Sequence, residues 1–307
     1  MENSNLTDRK GRRRFRLVDG LLILMTLLPL AGCLALQVMT KPASEGMDIA
    51  GARIYFTVPM PLMDMPITES QVNSWAVIAS IFFLCLYLTH GLTRDAHTRR
   101  QLVAEWAVEK TKKLVAENMG PLFAGFAPFI GAVMALSAFS SLMSLLGLYP
   151  PTSDLNVVAG WAILVFILIT HYKLKGGLWY YLKGFTQPVA LLTPINIFSE
   201  LATPLSMSFR HYGNVLSGTV IAAMIGAGLQ GLSRALLGWL PGVLGEVPFL
   251  QIGLPAVMSV YFDVFSGCLQ AFIFAMLTML YIVGGFPREE WEKRQARKAR
   301  KKKKAAA

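Results

Sequence analysis

Residues 194–221 of this 307-residue chain have the sequence PINIFSELATPLSMSFRHYGNVLSGTVI, which is apolar enough for the interior of a bilayer. The stretch nevertheless contains Glu200, Arg210 and Asn214. A charged side chain at the bilayer centre costs at least about 2.5–3.5 kcal/mol, and such residues are functional-site candidates. A guanidinium group stays protonated at physiological pH, so Arg210 cannot lower this cost by losing its charge. The stretch therefore predicts a membrane helix organised around a permanent cation.

The composition of the whole chain agrees with a membrane protein. Hydrophobic residues make up 54% and charged residues 15% of the sequence, and the mean hydropathy is +0.49. Soluble domains contain roughly 25% charged residues. The net charge of +11 could indicate a nucleic-acid partner, but the basic residues lie in short flanks between apolar runs. We therefore predict an all-α polytopic membrane protein with about six transmembrane helices, bound to lipid and not to nucleic acid.

The three cysteines, Cys33, Cys85 and Cys268, all lie in apolar segments and form no pattern of disulfides or metal ligands. The basic N-terminus leads into an apolar run from Leu17 to Met39. This run is either an extra, uncleaved membrane helix, which we prefer, or a signal peptide, because LAGC ending at Cys33 resembles a lipoprotein cleavage site. Both interpretations place residues 40–70 outside the cell.

The remaining apolar runs predict five more spans. Two of them, of 41 and 33 residues, would be roughly 60 and 50 Å long as straight helices. The hydrocarbon core is only about 30 Å thick, so we predict a strongly tilted C-terminal hairpin. Pro194 and Pro204 are expected to break or bend its first helix. An amphipathic helix on the cytoplasmic membrane surface is predicted for residues 101–118. The five spans are Val72–Leu88, Leu122–Leu148, Val157–His171, Val189–Leu229 and Ile252–Gly284.

The positive charges predict the orientation. Twenty-five of the 29 Lys and Arg residues lie in segments assigned to the cytoplasm, against three in external segments. Cytoplasmic loops of membrane proteins are enriched in Lys and Arg. The basic tail at residues 287–307 is therefore expected inside the cell, and the proline-rich turn at residues 150–156 is expected outside.

Four stretches resemble successive parts of subunit a of the bacterial F-type ATP synthase. PLSMSFRHYGNVLSG (residues 204–218) follows the family pattern P-x-S-x-x-x-R-x-x-G-N-x-x-x-G. The other three are PITESQVNSW (66–75), PPTSDLNV (150–157) and CLQAFIFAMLTMLYI (268–282), in family order and spacing. The resemblance covers residues 66–286. We divide the chain into a basic N-terminus with an extra apolar helix or signal segment (1–40), the a-subunit membrane domain (41–286) and a basic cytoplasmic tail (287–307).

The resemblance also implies a function. It predicts a stator subunit in the bacterial inner membrane that is no enzyme on its own and needs no cofactor or metal. Its expected partners are the c-subunit ring, the b subunits of the peripheral stalk and the rest of the synthase. The translocated ion is expected to be the proton, although the sequence does not separate H⁺ from Na⁺.

The polar residues of the first hairpin helix are regularly spaced. Ser206, Arg210 and Asn214 lie four apart and share one helix face. Glu200 lies near the predicted cytoplasmic end, and Thr219 lies toward the outside. Polar groups therefore occur on both sides of the arginine at different depths, as two half-channels that each end within the membrane would require.

The second hairpin helix contributes Asp263 and Gln270, seven apart and thus expected on one face. An antiparallel hairpin would put Gln270 near the level of Arg210 and Asp263 closer to the outside. Many family members have glutamate five residues after the asparagine, where this chain has Thr219. Some of those members have histidine seven before the glutamine, where this chain has Asp263. We expect Asp263 to replace the missing glutamate as proton carrier in the external half-channel.

Other residues of the motif have competing interpretations. His211 is expected to be a packing residue and not a relay. The small residues, Gly213 with Ser217 and Gly218 with Ala222 and Gly226, fit either packing within this chain or close passage of a rotor helix.

One alternative function is a self-contained secondary transporter that uses Arg210 to bind an anionic substrate. Such transporters commonly contain internal repeats, and no second copy of the arginine segment is present. An intramembrane enzyme is disfavoured because the sequence has no HExxH or GxSxG pattern. A nucleotide site is not expected, since the chain has no P-loop.

Overall fold

A computed structural model describes residues 2–40, 51–61, 64–92, 98–187, 189–237 and 253–306. These residues are predominantly helical. The predicted external connection between the last two spans falls mainly on residues 238–252 and lies outside the described residues. The helices are α1 (Glu2–Thr40), α2 (Glu69–Thr89), α3 (Arg99–Met119), α4 (Ala127–Leu142), α5 (Leu155–Leu174), α6 (Leu178–Phe185), α7 (Thr193–Leu237), α8 (Leu254–Ser259), α9 (Gly267–Gly285) and α10 (Arg288–Ala306).

Six helical stretches within the described residues are long and apolar enough to cross a membrane. The third includes the 3₁₀ turns on either side of α4, and the sixth joins α8 and α9 through a π-helical turn. The prediction of an all-α polytopic protein with about six transmembrane helices is therefore confirmed. The stretches are Leu17–Thr40, Glu69–Thr89, Pro121–Leu146, Leu155–Leu174, Ala190–Leu237 and Val257–Gly285.

The predicted amphipathic helix at residues 101–118 is present as α3. Thr98 caps it, since the Thr98 hydroxyl accepts a hydrogen bond from the Gln101 amide at 3.3 Å. One side of α3 carries Val115 and Met119 into the protein core, whereas Trp106 on the other side is exposed. The helix thus anchors to the helical bundle and leaves apolar surface for a membrane interface.

Two short strands precede α2 and were not predicted from the sequence. β1 (Ile54–Val58) pairs antiparallel with β2 (Met65–Thr68), with Ile54 opposite Thr68. The Glu69 amide then donates to the Arg53 carbonyl at 2.7 Å, which carries the pairing to the first residue of α2. The apolar patterns that identify spans do not detect such a short hairpin.

The helix α7 runs without interruption through Pro204, so the expected break at this proline is wrong. Pro194 is the second residue of α7, where a backbone N–H has no helical partner to lose. Proline is tolerated within membrane helices because side chains and neighbouring helices compensate the freed backbone groups. The Ser208 hydroxyl donates to the Pro204 carbonyl at 2.8 Å, a local bond that does not replace the one lost at the Glu200 carbonyl.

The main hydrophobic core lies where α3, α4, α5, α7 and α9 meet. Phe274 and Met279 of α9 are fully buried at its centre, together with Met207 of α7. The N-terminal helix α1 packs outside this core, along α2. Its Cys33 is buried there in a second cluster with Ala76 and Val77. The described residues leave the outer side of α7 uncovered.

Candidate functional site

Arg210 is on the uncovered side of α7. Its side chain is exposed, as are those of Ser206 and Ser217 on the same side, whereas Met207 and His211 are buried. Within the described residues, no carboxylate lies within ion-pairing distance of Arg210. A permanently charged group at this depth needs a partner. The described part of the chain supplies no carboxylate for Arg210, and the guanidinium is exposed on the outer side of α7.

Asn214 joins α7 to the second hairpin helix. Its Nδ2 donates to the Ser266 hydroxyl at 2.9 Å, and that hydroxyl also lies 3.2 Å from Asn214 Oδ1. One turn along, a Cβ added to Gly218 would lie 3.0 Å from the Phe262 ring. Both contacts define the same antiparallel register. Continued toward the other end, this register puts Gln270, which is buried, level with Arg210, as predicted from the sequence.

Asp263 lies in a π-helical turn, Val260–Ser266, between α8 and α9. The premise that Asp263 and Gln270 lie two α-helical turns apart is therefore wrong, because the wider π turn changes the direction of the residues before Gly267. The half-buried Asp263 carboxylate accepts a hydrogen bond from the Ser259 hydroxyl. Single π-helical turns are rare and frequently occur at functional sites.

Glu200 forms an ion pair that sequence analysis missed. Both carboxylate oxygens lie 2.6 Å from Lys173 Nζ, and the side chains are only 18% and 25% exposed. The pair borders a cavity of about 350 Å³ that also includes Asn196 and Ser199. A signal existed in the sequence, since Lys173 lies only two residues after the predicted span Val157–His171, where a long cationic side chain can reach a neighbouring helix.

Two residues of the motif have local roles in the structure. The Thr219 hydroxyl donates to the Leu216 carbonyl at 2.8 Å and is half-buried. His211 is completely buried between the rings of Trp161 and Phe274, whose centroids lie 6.0 and 5.5 Å away. His211 Nε2 also lies 3.3 Å from the Ser137 hydroxyl. This environment agrees with the expected packing role of His211.

A row of buried hydroxyl groups on α4 was not predicted. Ser140 and Ser141 follow Ser137 by three and four residues, so the three buried side chains lie along one side of the helix. Ser141 Oγ lies 3.4 Å from Thr152 Oγ1 in the turn that follows α4. Three buried polar atoms along this row have no hydrogen-bond partner among the described residues: Ser140 Oγ, Ser153 Oγ and His211 Nδ1. Buried polar atoms are normally hydrogen-bonded, often to water, so the row suits a hydrated path.

The hydroxyl row adjoins the second hairpin helix. A Cβ added to Gly267 would lie 2.6 Å from Ser141 Cβ, so α9 and α4 approach closely at this glycine. Gly267 directly follows Ser266, which bonds Asn214. The row on α4, the π-helical turn and Asn214 thus place polar groups at successive levels from the turn at residues 150–154 to Asn214, one helical turn from Arg210.

Two of the stretches quoted above meet at the end of the molecule that carries the strands. The Ser70 hydroxyl donates to Asp154 Oδ2, and Asn73 Nδ2 donates to the Tyr149 carbonyl at 2.8 Å. These bonds attach the turn between α4 and α5 to the first turns of α2. The turn is thus fixed at the mouth of the hydroxyl row.

These features define a polytopic membrane protein with an exposed intramembrane arginine between two polar regions. A sequence model of the family described as "ATP synthase A chain" matches residues 71–283. This match covers more than half of the chain, and the chain belongs to that family. It is a non-catalytic, multi-pass subunit of the membrane sector of an F-type ATP synthase, and its family takes part in ion transport and ATP synthesis.

Individual relatives agree with the family. The chain is 30% identical to ATP synthase subunit a of Bacillus pumilus (strain SAFR-032), over 69% of this chain and 90% of the relative. It is 26% identical to ATP synthase subunit a of Legionella pneumophila strain Philadelphia 1, over 74% and 90%. It is also 26% identical to "ATP synthase subunit a, sodium ion specific" of Propionigenium modestum, over 88% and 97%. The family decides against the alternative of a self-contained secondary transporter.

Proposed function

We propose that this subunit provides two half-channels for an ion and holds Arg210 against a ring of c subunits. The observation that carries the proposal is the exposure of Arg210 on a side of α7 that the described residues leave uncovered. Gly213 and Ser217 continue this side, and a Cβ at Gly213 would meet no described atom within 4 Å. Small residues allow another helix to come close in a membrane. A passing rotor helix fits this surface.

The arginine acts through its charge. A ring carboxylate must release its ion when it passes Arg210, and a nearby cation favours the ionised carboxylate. At ~4 Å and an effective dielectric constant of ~20 the attraction is about 4 kcal/mol, which shifts the protonation equilibrium about a thousandfold. The same charge repels a cation that would cross directly between the half-channels. A passing, hydrated contact meets both requirements without arresting rotation.

The outer half-channel, in this proposal, is the polar region that ends near Asn214. An ion enters beside the turn at residues 150–154, follows the hydroxyl row on α4 and the Asp263 side of the π-helical turn, and reaches the ring at the level of Arg210. Thr219 lies along the same helix, but its hydroxyl bonds its own backbone and has no acidic proton. Asp263 is therefore the proton carrier of this route.

The inner half-channel opens at the cavity beside Glu200. Glu200 and Lys173 are a pair of opposite charges at the rim of that cavity, so a proton leaving the ring meets a carboxylate that can accept it. Ser206 lies on the side of α7 that carries Arg210, one turn closer to Glu200. We assign the ion to the proton, because each route contains a carboxylate, Asp263 or Glu200, that can take up and release a proton.

The assembly follows from this role. We infer that the b subunits of the peripheral stalk hold the chain against rotation, that the membrane is the bacterial cell membrane, and that the C-terminus is cytoplasmic. The protein in this arrangement converts the transmembrane potential into torque on the ring, at roughly 2.3 kcal/mol per charge and 100 mV.

Replacement of the arginine tests the proposal. Arg210→Ala should abolish ATP synthesis in inside-out vesicles while passive proton conduction through the membrane sector persists or rises. Arg210→Lys retains a charge but loses the delocalised guanidinium, so it should limit the leak better than alanine and support little synthesis. The matched control is Arg234→Ala, which removes an exposed arginine from the end of the same helix. To identify the ion, ATP synthesis is driven once by a proton gradient in the absence of sodium and once by a sodium gradient in the absence of a proton gradient. The gradient that supports synthesis belongs to the translocated ion.

Assembly of the complex is checked by immunoblot in every variant. Near-normal synthesis in assembled Arg210→Ala would refute the central role of the arginine. Equal losses in Arg210→Ala and Arg234→Ala would show that any arginine of α7 has the same effect, and would also contradict the proposal.

A further inference from the structure

A cavity of about 470 Å³ lies between α6 and the C-terminal helix α10, away from Arg210. Cationic side chains dominate its lining: Lys183 of α6 and Lys293, Arg294 and Arg297 of α10. One carboxylate, that of Glu290, also lines it. Nothing in the proposed ion path uses these residues.

The charges of the cavity do not balance. Lys293 Nζ bonds Glu290 Oε1 at 2.9 Å, so these two charges compensate each other. Within the described part of the chain, no carboxylate lies within ion-pairing distance of Lys183, Arg294 or Arg297. The hydrogen bond from Lys293 lowers the pKa of Glu290, and the charges of Arg297 and Arg294 lower it further. The cavity therefore favours an additional anion.

The position of the cavity selects an anion that lies at a membrane surface. The span in α5 ends at Leu174, four residues before α6, and the span in the last hairpin helix ends at Gly285, three residues before α10. α6 exposes Leu178 and Trp179, which are 64% and 79% accessible. Tryptophan and apolar residues on a short helix at the end of a span are typical of the headgroup region. Apolar surface thus borders the cationic cavity.

Two glycines just before α6, Gly176 and Gly177, form a corner at which the start of α10 packs closely. Gly177 has a φ angle of 111°, which L-residues rarely adopt, and the Arg294 guanidinium occupies the space where a side chain of residue 177 would begin. Pro287, just before α10, packs in the same way against Gly176. The corner directs Arg294 to the cavity and makes the cationic lining part of the fold.

We propose that this cavity binds the phosphate of an anionic phospholipid, with its acyl chains along the exposed apolar residues of α6. Guanidinium and ammonium groups are the usual protein ligands of phosphate, and arginine can bind it with two hydrogen bonds. A soluble phosphate would use the same cations but would gain nothing from Leu178 and Trp179. This site is independent of the ion path and would exist even if the proposed function were wrong.

Quenching of Trp179 by brominated lipids tests the proposal. The full-length chain is reconstituted in phosphatidylcholine vesicles that contain equal fractions of either brominated phosphatidylglycerol or brominated phosphatidylcholine. The contribution of Trp179 is the difference between the native chain and Trp179→Phe. We expect stronger quenching by the brominated anionic lipid. Lys183→Gln with Arg297→Gln should reduce this preference by about fivefold per charge removed, since each cation near a membrane surface contributes ~1 kcal/mol.

Two controls distinguish the site from general surface charge. Lys110→Gln with Lys112→Gln removes the same charge from exposed positions of α3 and should leave the preference at Trp179 unchanged. Lys183→Arg with Arg297→Lys retains both charges and should preserve it, which separates loss of charge from misfolding. Equal quenching by the two lipids, or an unchanged preference in the double glutamine variant, would overturn the proposal. Loss of the preference in inorganic phosphate, but not in chloride at the same ionic strength, would show a site for free phosphate and would also overturn it.

Discussion

Asp263 combines two features at one residue, a carboxylate at membrane depth and a position within a π-helical turn. Its only hydrogen bond that the structure gives in the described part of the chain comes from Ser259, one turn earlier on the same helix. A hydroxyl donor leaves the carboxylate with further acceptor sites for water. This arrangement suits a carrier of protons, because water can reach the free acceptor sites and exchange a proton with the carboxylate.

We predict that Asp263→Asn severely lowers proton-driven ATP synthesis, by about a hundredfold or more, the lower end of the range for loss of a proton-transfer group. Thr219→Glu in that background should restore part of the activity, because it returns a carboxylate to the side of the hairpin where the family pattern has one. Synthesis and passive proton uptake are measured in vesicles. Glu117→Gln, on the exposed surface of α3, is the control for loss of a carboxylate. Full coupling in Asp263→Asn alone would exclude the carrier role.

The pair of Lys173 and Glu200 makes a different prediction. Each single neutralisation, Lys173→Gln or Glu200→Gln, leaves a charge at a largely buried position, so it should lower stability by about 1–3 kcal/mol. The double variant leaves no unpaired charge and should be more stable than either single variant. Thermal unfolding in detergent gives the stabilities and their coupling.

ATP synthesis separates the structural from the functional role of this pair. Glu200→Gln should reduce synthesis even when Lys173→Gln restores the stability, because the proton acceptor is absent. Recovery of both stability and synthesis in the double variant would reduce Glu200 to a structural partner of Lys173.

At the scale of the element, α7 packs one side against this chain, and the described residues leave its other side open. Gly218 and Gly226 are buried, which places this set of small residues in internal packing. Gly213 and Ser217 lie on the outward side with Arg210. Packing within the chain thus accounts for the first set, and only the second set is left for the proposed passage of a rotor helix.

The two glycines provide a matched pair of variants. Gly218→Leu should destabilise the isolated chain by about 1–3 kcal/mol, because its side chain would collide with Phe262. Gly213→Leu has free space within the chain and should leave its stability unchanged or slightly raised, since leucine favours helices over glycine. In the assembled complex, Gly213→Leu should nevertheless impair ATP synthesis because it obstructs the passing helix. Normal synthesis in Gly213→Leu would show that no helix passes close to this side.

The sequence predicted these elements unevenly, for physical reasons. Hydropathy identifies a span reliably because a bilayer requires about 20 apolar residues, and all six spans were found. The strands β1 and β2 are too short for such a pattern. The π-helical turn depends on how α8 and α9 pack, and no local propensity predicts it. Pro204 was expected to break or bend α7, and the helix continues through it without a break.

Prediction of the candidate site from the sequence was limited in the same way. Arg210, Asn214 and Gln270 could be placed at their levels because helical periodicity and an antiparallel hairpin fix them. Lys173 was missed because the ion pair with Glu200 joins residues 27 positions apart on different helices. The hydroxyl row was missed because serines in an apolar run give no distinct pattern. Contacts between elements, unlike positions along one element, depend on packing that a single sequence does not display.

At the scale of the molecule, the side-chain contacts form two groups at opposite ends of the helices. At one end, Asp19 bonds Arg100 at 2.7 Å and Lys173 bonds Glu200. At the other end, Gln37 Nε2 donates to the Gly147 carbonyl at 2.6 Å, and Ser70 donates to Asp154. The described spans therefore alternate in direction, as a multi-pass protein requires, and one measurement of sidedness orients all of them.

We predict that the end with Arg100 and Lys173 is cytoplasmic, because basic residues concentrate there. The test places one cysteine at an exposed position near each end, Thr57→Cys in β1 and Ala299→Cys in α10, after replacement of Cys33, Cys85 and Cys268 by serine. A membrane-impermeant maleimide added to intact cells should label Thr57→Cys and spare Ala299→Cys until the membrane is permeabilised. Ser153 would be a poor choice for the external position, because it is only 7% exposed.

The outcome also decides the direction of the half-channels. If Thr57→Cys is labelled from outside, the polar region that contains Asp263 and the hydroxyl row opens outward, and Glu200 opens to the cytoplasm. Protons then enter past Asp263 when the membrane potential drives synthesis. The opposite labelling would assign Asp263 to the inner route and Glu200 to the outer one, and it would contradict the positive-inside distribution of 25 of the 29 basic residues. Labelling of both positions in intact cells would mean that the helices do not alternate as the contacts between their ends require.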